Sequence, residues 1–164
     1  MTTPRWNALA LAAGLTLVPV LAACGDDDDS TGDTVAVVEG APLSIADPWS
    51  REPAAGQMMT AAYGVIANTT DRELQIVGGT SPSADRVETH ETMMDDEGTM
   101  SMQQLEGGFN IPPQGELVLE PGGPHLMLIG IDPDDYEGPI EITLLTDIQD
   151  TFTFEAEVRS IDGG

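Results

Sequence analysis

The sequence predicts an all-β domain, an antiparallel sandwich or barrel of about eight or nine short strands. Three observations carry this. From about residue 35 onward apolar residues come in short alternating runs, turn-forming residues separate those runs at regular intervals, and no segment sustains a helical period.

Taken in order, the expected strands are Leu43 to Ala46, Thr60 to Ala67, Glu73 to Gly78, Arg86 to Thr92, Thr99 to Leu105, Glu116 to Glu120, His125 to Ile129, Ile140 to Thr146 and Thr151 to Val158. Turn chemistry lies between them at Asn68-Thr-Thr-Asp71, Pro112-Pro-Gln-Gly115, Pro121-Gly-Gly-Pro124 and Asp132-Pro-Asp-Asp135. Alternation assigns Tyr63, Val65, Leu126, Leu128, Ile142, Leu144, Phe152 and Phe154 to the core.

Ahead of this domain, Met1 to Asn7 is polar with one positive charge, at Arg5, and Ala8 to Leu21 is apolar. That stretch has the length of a signal-peptide core and is short for a membrane-spanning helix. It ends in Leu21-Ala22-Ala23-Cys24, which resembles the bacterial lipobox, in which the Cys is acylated and becomes the mature N-terminus. Residues 1–23 therefore read as a lipoprotein signal peptide and Cys24 as the lipidation site. Residues 24–34, with the run Gly25-Asp-Asp-Asp-Asp-Ser-Thr-Gly-Asp33, read as an acidic tether, because like charges with Gly and Ser bury no apolar area. Residues 35–164 are the folded domain. The expected location is extracytoplasmic, at the cell envelope, held to the membrane by lipid alone.

Charge and cysteine usage remove whole function classes. The formal net charge is −24, all five basic residues are Arg and there is no Lys, so the chain offers no footprint for a nucleic-acid backbone. Cys24 is the single cysteine. A domain without a thiol has no disulfide framework and no redox CxxC, and it lacks the thiolate that a blue-copper electron-transfer site requires. A hydrolase lacks support too, since there is no Gly-x-Ser-x-Gly elbow. Asp132-Pro-Asp-Asp-Tyr-Glu137 lacks the spacing of an EF-hand and reads as a solvated turn. The expectation is a protein that is not an enzyme.

Chemistry concentrates around the only two histidines. His90 is followed by Met93, Met94, Met100 and Met102, and Met127 stands two residues after His125. On a strand, residues i and i+2 share a face, so His125 and Met127 point together while Leu126 and Leu128 point into the core. Two imidazoles and two thioethers would form a soft, neutral donor set that favours Cu(I) over hard ions. Methionine is also a common core filler, and buried histidines are often only hydrogen-bonded, so the residues alone leave both readings open. Met58 and Met59 stand beside Gly56, and the sequence does not decide whether they reach the site.

The segments Val87 to Met102, Ile111 to Gly115 and Leu119 to Leu128, with Asp47-Pro-Trp-Ser-Arg51 and Ala61 to Thr69 upstream, resemble the PCu(A)C family of periplasmic copper chaperones. The likeness spans roughly residues 43 to 159, and Pro-Gly-Gly-Pro-His-Leu-Met127 is its most specific part. The resemblance implies a cupredoxin-like Greek-key fold binding Cu(I) through His90, Met102, His125 and Met127, with Met93, Met94 and Met100 as secondary metal contacts. Eleven residues separate His90 from Met102 and twenty-two separate Met102 from His125, each one longer than the family pattern. The added residues fall naturally in Asp95-Asp-Glu-Gly98 and at Gly107-Gly108, which leaves Met100 as an alternative to Met102. The resemblance further implies delivery of copper to an accepting protein, a cytochrome c oxidase subunit or a Sco-type protein. Copper storage or resistance, and a metal-free envelope lipoprotein, are the alternatives.

Overall fold

The computed structural model describes residues 35–36, 41–94, 98–134 and 136–160. The expected signal peptide, Cys24, and the acidic tether lie outside the described residues, as do Asp95 to Glu97. Residues 32–164 form one compact unit by their internal contacts. All members of the hydrophobic core belong to that unit, so it has what it needs to fold by itself.

Eleven strands are present among the described residues: β1 Val35–Ala36, β2 Leu43–Arg51, β3 Met59–Asn68, β4 Leu74–Ser81, β5 Ala84–Met94, β6 Met100–Gln104, β7 Phe109–Ile111, β8 Glu116–Leu119, β9 Pro124–Ile129, β10 Ile140–Thr146 and β11 Thr151–Arg159. Each expected strand is there. The two extra ones, β1 and β7, have only two and three residues, too short to show alternation.

Seven strands close on themselves in the order β2-β11-β10-β4-β5-β9-β3, with β3 pairing back to β2; β1, β8, β6 and β7 attach to β2, β3, β5 and β4. Closure leaves the seven barrel strands with neighbours on both sides. The barrel is mixed rather than purely antiparallel, because closure sets β11 beside β2 and these two run parallel, Glu157 opposite Trp49 and Arg159 opposite Arg51.

Leu126, Leu128, Ile142, Leu144, Phe152 and Phe154 fill the interior as expected, with Ile45, Ile66, Ile76 and Ile111. Strand β3 departs from expectation. Its interior residues are Ala62 and Ile66, while Val65 is only half-buried and Tyr63 is buried outside the core cluster. Both faces of Ala61-Ala-Tyr-Gly-Val-Ile66 are apolar, so alternation could not say which one turns inward.

A bulge in β2 explains why both faces are buried there. The pairing with β3 shifts between Ala46 and Trp49, and Asp47 takes φ 46°, a conformation that Asp tolerates. Arg159 holds the Asp47 carboxylate with two nitrogens at 2.5 and 3.1 Å. Beyond the bulge Trp49 stands opposite Tyr63, their ring centres 4.4 Å apart. This aromatic pair lies outside the core cluster, on the side of β3 that carries the candidate site.

Candidate metal centre

Strand register assembles the site. β5 and β9 pair so that His90 lies directly opposite His125 and Glu88 opposite Met127, while β9 and β3 pair Met127 with Ala61. Directly opposed residues share a face. His90, His125, Met127 and Ala61 therefore occupy one side of the sheet, the side away from Leu126 and Leu128. Strand β6 adds to it by pairing Gln104 with His90, Met102 with Thr92 and Met100 with Met94. Met94, Met100 and Met102 thus fall on the histidine face, and Met93 alternates to the other.

A cleft of about 570 Å³ opens on this face, lined by His125, Met127, Met100, Met102, Met59 and Tyr63 among others. His125 is 2% exposed and Met127 7%, whereas Met100 and Met102 are 58% and 60% exposed. The sequence-predicted residues thus divide. His125 and Met127 sit on the barrel floor of the cleft, the β6 methionines form its open wall, and the ring of His90 lies beside that of His125 at 5.9 Å between centres. Met93 and Met94 are exposed and do not line the cleft. Both Met100 and Met102 line it, so the geometry accommodates either as a donor.

The turn before β9 sets the His125 ring. Pro121 and Gly122 are the central residues of a turn closed by Gly123 N–H donating to the Glu120 carbonyl at 3.1 Å, with Gly122 at φ 86°. Pro first and a positive-φ glycine second is the type II arrangement. The Gly123 carbonyl then accepts from His125 Nδ1 at 2.9 Å and from Thr92 N–H at 3.2 Å. Because a carbonyl only accepts, His125 carries its proton on Nδ1 and leaves Nε2 with a free lone pair. His90 is oriented likewise: its Nε2 is 3.0 Å from Glu88 Oε2, which places the proton on Nε2 and the lone pair on Nδ1. Arg86 approaches the other Glu88 oxygen at 3.6 Å.

Those two lone-pair nitrogens, His90 Nδ1 and His125 Nε2, are the buried side-chain polar atoms without a hydrogen-bond partner among the described residues. A buried polar atom left unpaired costs about 1–3 kcal/mol, so folds retain one only where something else satisfies it. A metal bound about 2 Å from an imidazole nitrogen lies about 3 Å from the ring centre, so two rings sharing an ion stand about 5–6 Å apart. The observed 5.9 Å fits. Each free nitrogen is also backed by an acceptor on the opposite side of its ring, a carboxylate for His90 and a carbonyl for His125, as is usual for metal-binding histidines. Burial lowers the His125 pKa below its ordinary 6.5, the Gly123 hydrogen bond opposes this, and the nearby His90 adds to the lowering. His125 is consequently neutral, the form that ligates, at pH 7.

Among the described residues there is no group of three or more His, Cys, Asp or Glu that could hold a metal. Beside the two imidazoles this face carries the thioethers of Met127, Met100 and Met102, donors that suit a soft ion better than a hard one. Sequence reasoning did not identify Glu88, although Glu88-Thr-His90 is an i, i+2 pair on a strand and that spacing signals a shared face. The Gly123 carbonyl carries no sequence signal beyond its turn.

A family model described as "Putative lipoprotein LpqE-like" matches residues 43–158. The chain belongs to the LpqE-like putative lipoprotein family. It is 34% identical over 122 residues to the putative lipoprotein Lxx21020 of Leifsonia xyli subsp. xyli, spanning 74% of this chain and 72% of that relative. Among solved structures it is similar to the copper-bound PCuAC domain from PmoF2, with a TM-score of 0.59 and 23% identity over 73% of this chain and 94% of that one. It is similar as well to the solution structure of CuI-DR1885 from Deinococcus radiodurans, with a TM-score of 0.53 and 26% identity over 71% of this chain and 78% of that one. The barrel of this LpqE-like protein has the PCuAC fold that the sequence resemblance implied.

Proposed function

We propose that this LpqE-like protein is an extracytoplasmic, lipid-anchored copper(I) chaperone that is not an enzyme. It binds one Cu(I) through His90, Met102, His125 and Met127 and hands it to a copper-accepting protein, a cytochrome c oxidase subunit or a Sco-type protein. The observation that supports this most directly is the pair of buried, unpartnered imidazole nitrogens beside thioethers on one sheet face. Neutral donors leave the charge of a monovalent ion unchanged and favour Cu(I) over Cu(II). Two of the four donors, His125 and Met127, are fixed in β9, while Met102 is exposed. An incoming ligand from an acceptor would replace the exposed thioether first, with the imidazoles holding the ion during exchange. That openness favours transfer over storage. The lipobox-like Leu21-Ala-Ala-Cys24 and the lipoprotein family support the anchor.

The test is an anaerobic Cu(I) competition titration of residues 32–164, which carry the whole core, beside a His125→Ala/Met127→Ala variant. One tight Cu(I) in the parent and its loss in the variant are expected. Weak and equal binding by both would return the methionines to a structural role and leave a metal-free envelope lipoprotein. Replacement of Cys24 by Ser should release the protein from membranes.

A further inference from the structure

The cleft contains a thioether that the four-donor set leaves out. Met59 opens β3, where it pairs with Ile129, and Ala61 two residues later pairs with Met127. Met59 therefore lies on the same face as Met127 and diagonal to it, a separation that long side chains span. Its side chain lines the cleft together with His125, Met127, Met100 and Met102. Between the two methionines the neighbour on β3 is only Ala61, which leaves room over the sheet. Met59 is 49% exposed, so packing does not account for its place, and an unbranched side chain with three rotatable bonds can reach inward from the rim.

The donors on this face belong to two different supports. His90, His125, Met127 and Met59 stand on β5, β9 and β3, all part of the closed barrel. Met100 and Met102 stand on β6, which pairs with β5 alone and is exposed along its whole length. Past Glu91, strand β5 has no further strand pairing with β9 among the described residues: Thr92 keeps one hydrogen bond to the Gly123 carbonyl, and Thr92 to Met94 pair with β6. A two-stranded ribbon is much less secure than a barrel strand. An acceptor that displaces the β6 thioethers would leave the ion with only what the barrel supplies.

We infer that Met59 is a further Cu(I) ligand, which together with His90, His125 and Met127 forms a barrel-borne site that keeps the ion once the β6 methionines have been displaced. The inference rests on the copper reading above and deepens it, since it gives the exchange step a defined resting place. With the β6 thioethers present Met59 is one sulfur among several. Without those of β6 it becomes the second sulfur.

The experiment uses residues 32–164 in four forms: the parent, Met59→Leu, Met100→Ala/Met102→Ala, and the triple variant combining them. Leu keeps the volume of Met without its sulfur, and all three methionines are about half exposed or more, so the fold should be retained. Each form is titrated with Cu(I) against a chelator, and sulfur and nitrogen neighbours are counted by X-ray absorption. Met59→Leu alone is the folding control and should unfold with heat at the same temperature as the parent. The double variant should still hold Cu(I) with two sulfur neighbours, and the triple variant should show one sulfur and a further loss of roughly tenfold or more in affinity. If the triple and double variants share the same affinity and sulfur count, Met59 is not a ligand and this inference falls while the copper reading stands. If the parent itself binds no Cu(I), both fall together.

Discussion

Replacing Glu88 by Gln tests whether copper sits on His90. The Glu88 carboxylate lies 3.0 Å from His90 Nε2, and the lone pair on Nδ1 is on the other side of the ring. Adding the width of the ring and a metal–nitrogen bond of about 2 Å puts the carboxylate about 7 Å from a bound ion. At an effective dielectric of about 20, one negative charge at that distance is worth about 2 kcal/mol to a monovalent cation. Arg86, 3.6 Å from the other carboxylate oxygen, offsets part of this, although its own side chain is mostly exposed. Gln retains an oxygen that can accept from His90 but carries no charge. The variant should therefore fold normally and bind Cu(I) roughly 10–100-fold more weakly, the usual range for losing such a supporting partner. The assay is the anaerobic competition titration, with thermal unfolding of the apo forms as the control. Affinity within about twofold of the parent, at unchanged thermal stability, would mean that the carboxylate does not face a bound cation through His90, and the assignment of His90 as a ligand would be withdrawn.

Three further outcomes follow from the fold. Ile66→Ala should cost about 2–5 kcal/mol in denaturant unfolding and Val65→Ala about 1 kcal/mol or less, since Ile66 is wholly buried in the core and Val65 only half-buried. Asp47→Asn should destabilise the protein at neutral pH and lose that effect in acid. The Arg159 hydrogen bonds lower the Asp47 pKa below 3.8 in the folded state, so the stabilisation is present above the unfolded value and disappears as pH falls through the folded one. Asn tolerates the positive φ at this position, which confines the comparison of urea unfolding at pH 7 and pH 3 to the ion pair. Gly122→Ala and Gly138→Ala should each cost about 1 kcal/mol, because both glycines have positive φ and neither has an obstructing neighbour. Only Gly122→Ala should also weaken Cu(I) binding, since that turn presents the Gly123 carbonyl to His125.

The strands were legible wherever one face was polar. Leu126 and Leu128 against His125 and Met127 is such a case, and the alternation there located both the core and the site. Strand β3 was legible as a strand but its inward face was not, because Ala61, Tyr63 and Val65 are as apolar as Ala62 and Ile66. Its outer face is apolar for a reason beyond the strand itself: Tyr63 packs against Trp49 with the rings tilted and stands 6.3 Å from the His125 ring, so it walls the cleft. The Asp47-Pro48 bulge that sets Trp49 opposite Tyr63 was equally hidden, since its anchor Arg159 is more than a hundred residues away in the chain. At Gly107-Gly108, expected to absorb an added residue, the two glycines differ. Gly107 faces open space, while a Cβ on Gly108 would run into the Ile76 carbonyl, so a side chain fits only at the first.

Pairing register explains why the site needs so little sequence. Two histidines thirty-five positions apart become direct neighbours through the β5–β9 ladder, and one turn supplies the Gly123 carbonyl that sets the tautomer of the second. A one-residue slip of that ladder would turn His125 and Met127 into the core and Leu126 and Leu128 onto the surface. The hydrophobic effect on the leucines thus enforces the position of His125 and Met127. Burying Leu126 and Leu128 stabilises each by about 1.5–3 kcal/mol, and the same burial holds two unpartnered imidazole nitrogens in place that would otherwise disfavour the fold. The thioethers of β6 have no such support, being exposed on a strand with one neighbour. A site with one half fixed by the core and the other half open to solvent can bind an ion and still release it, as a carrier must.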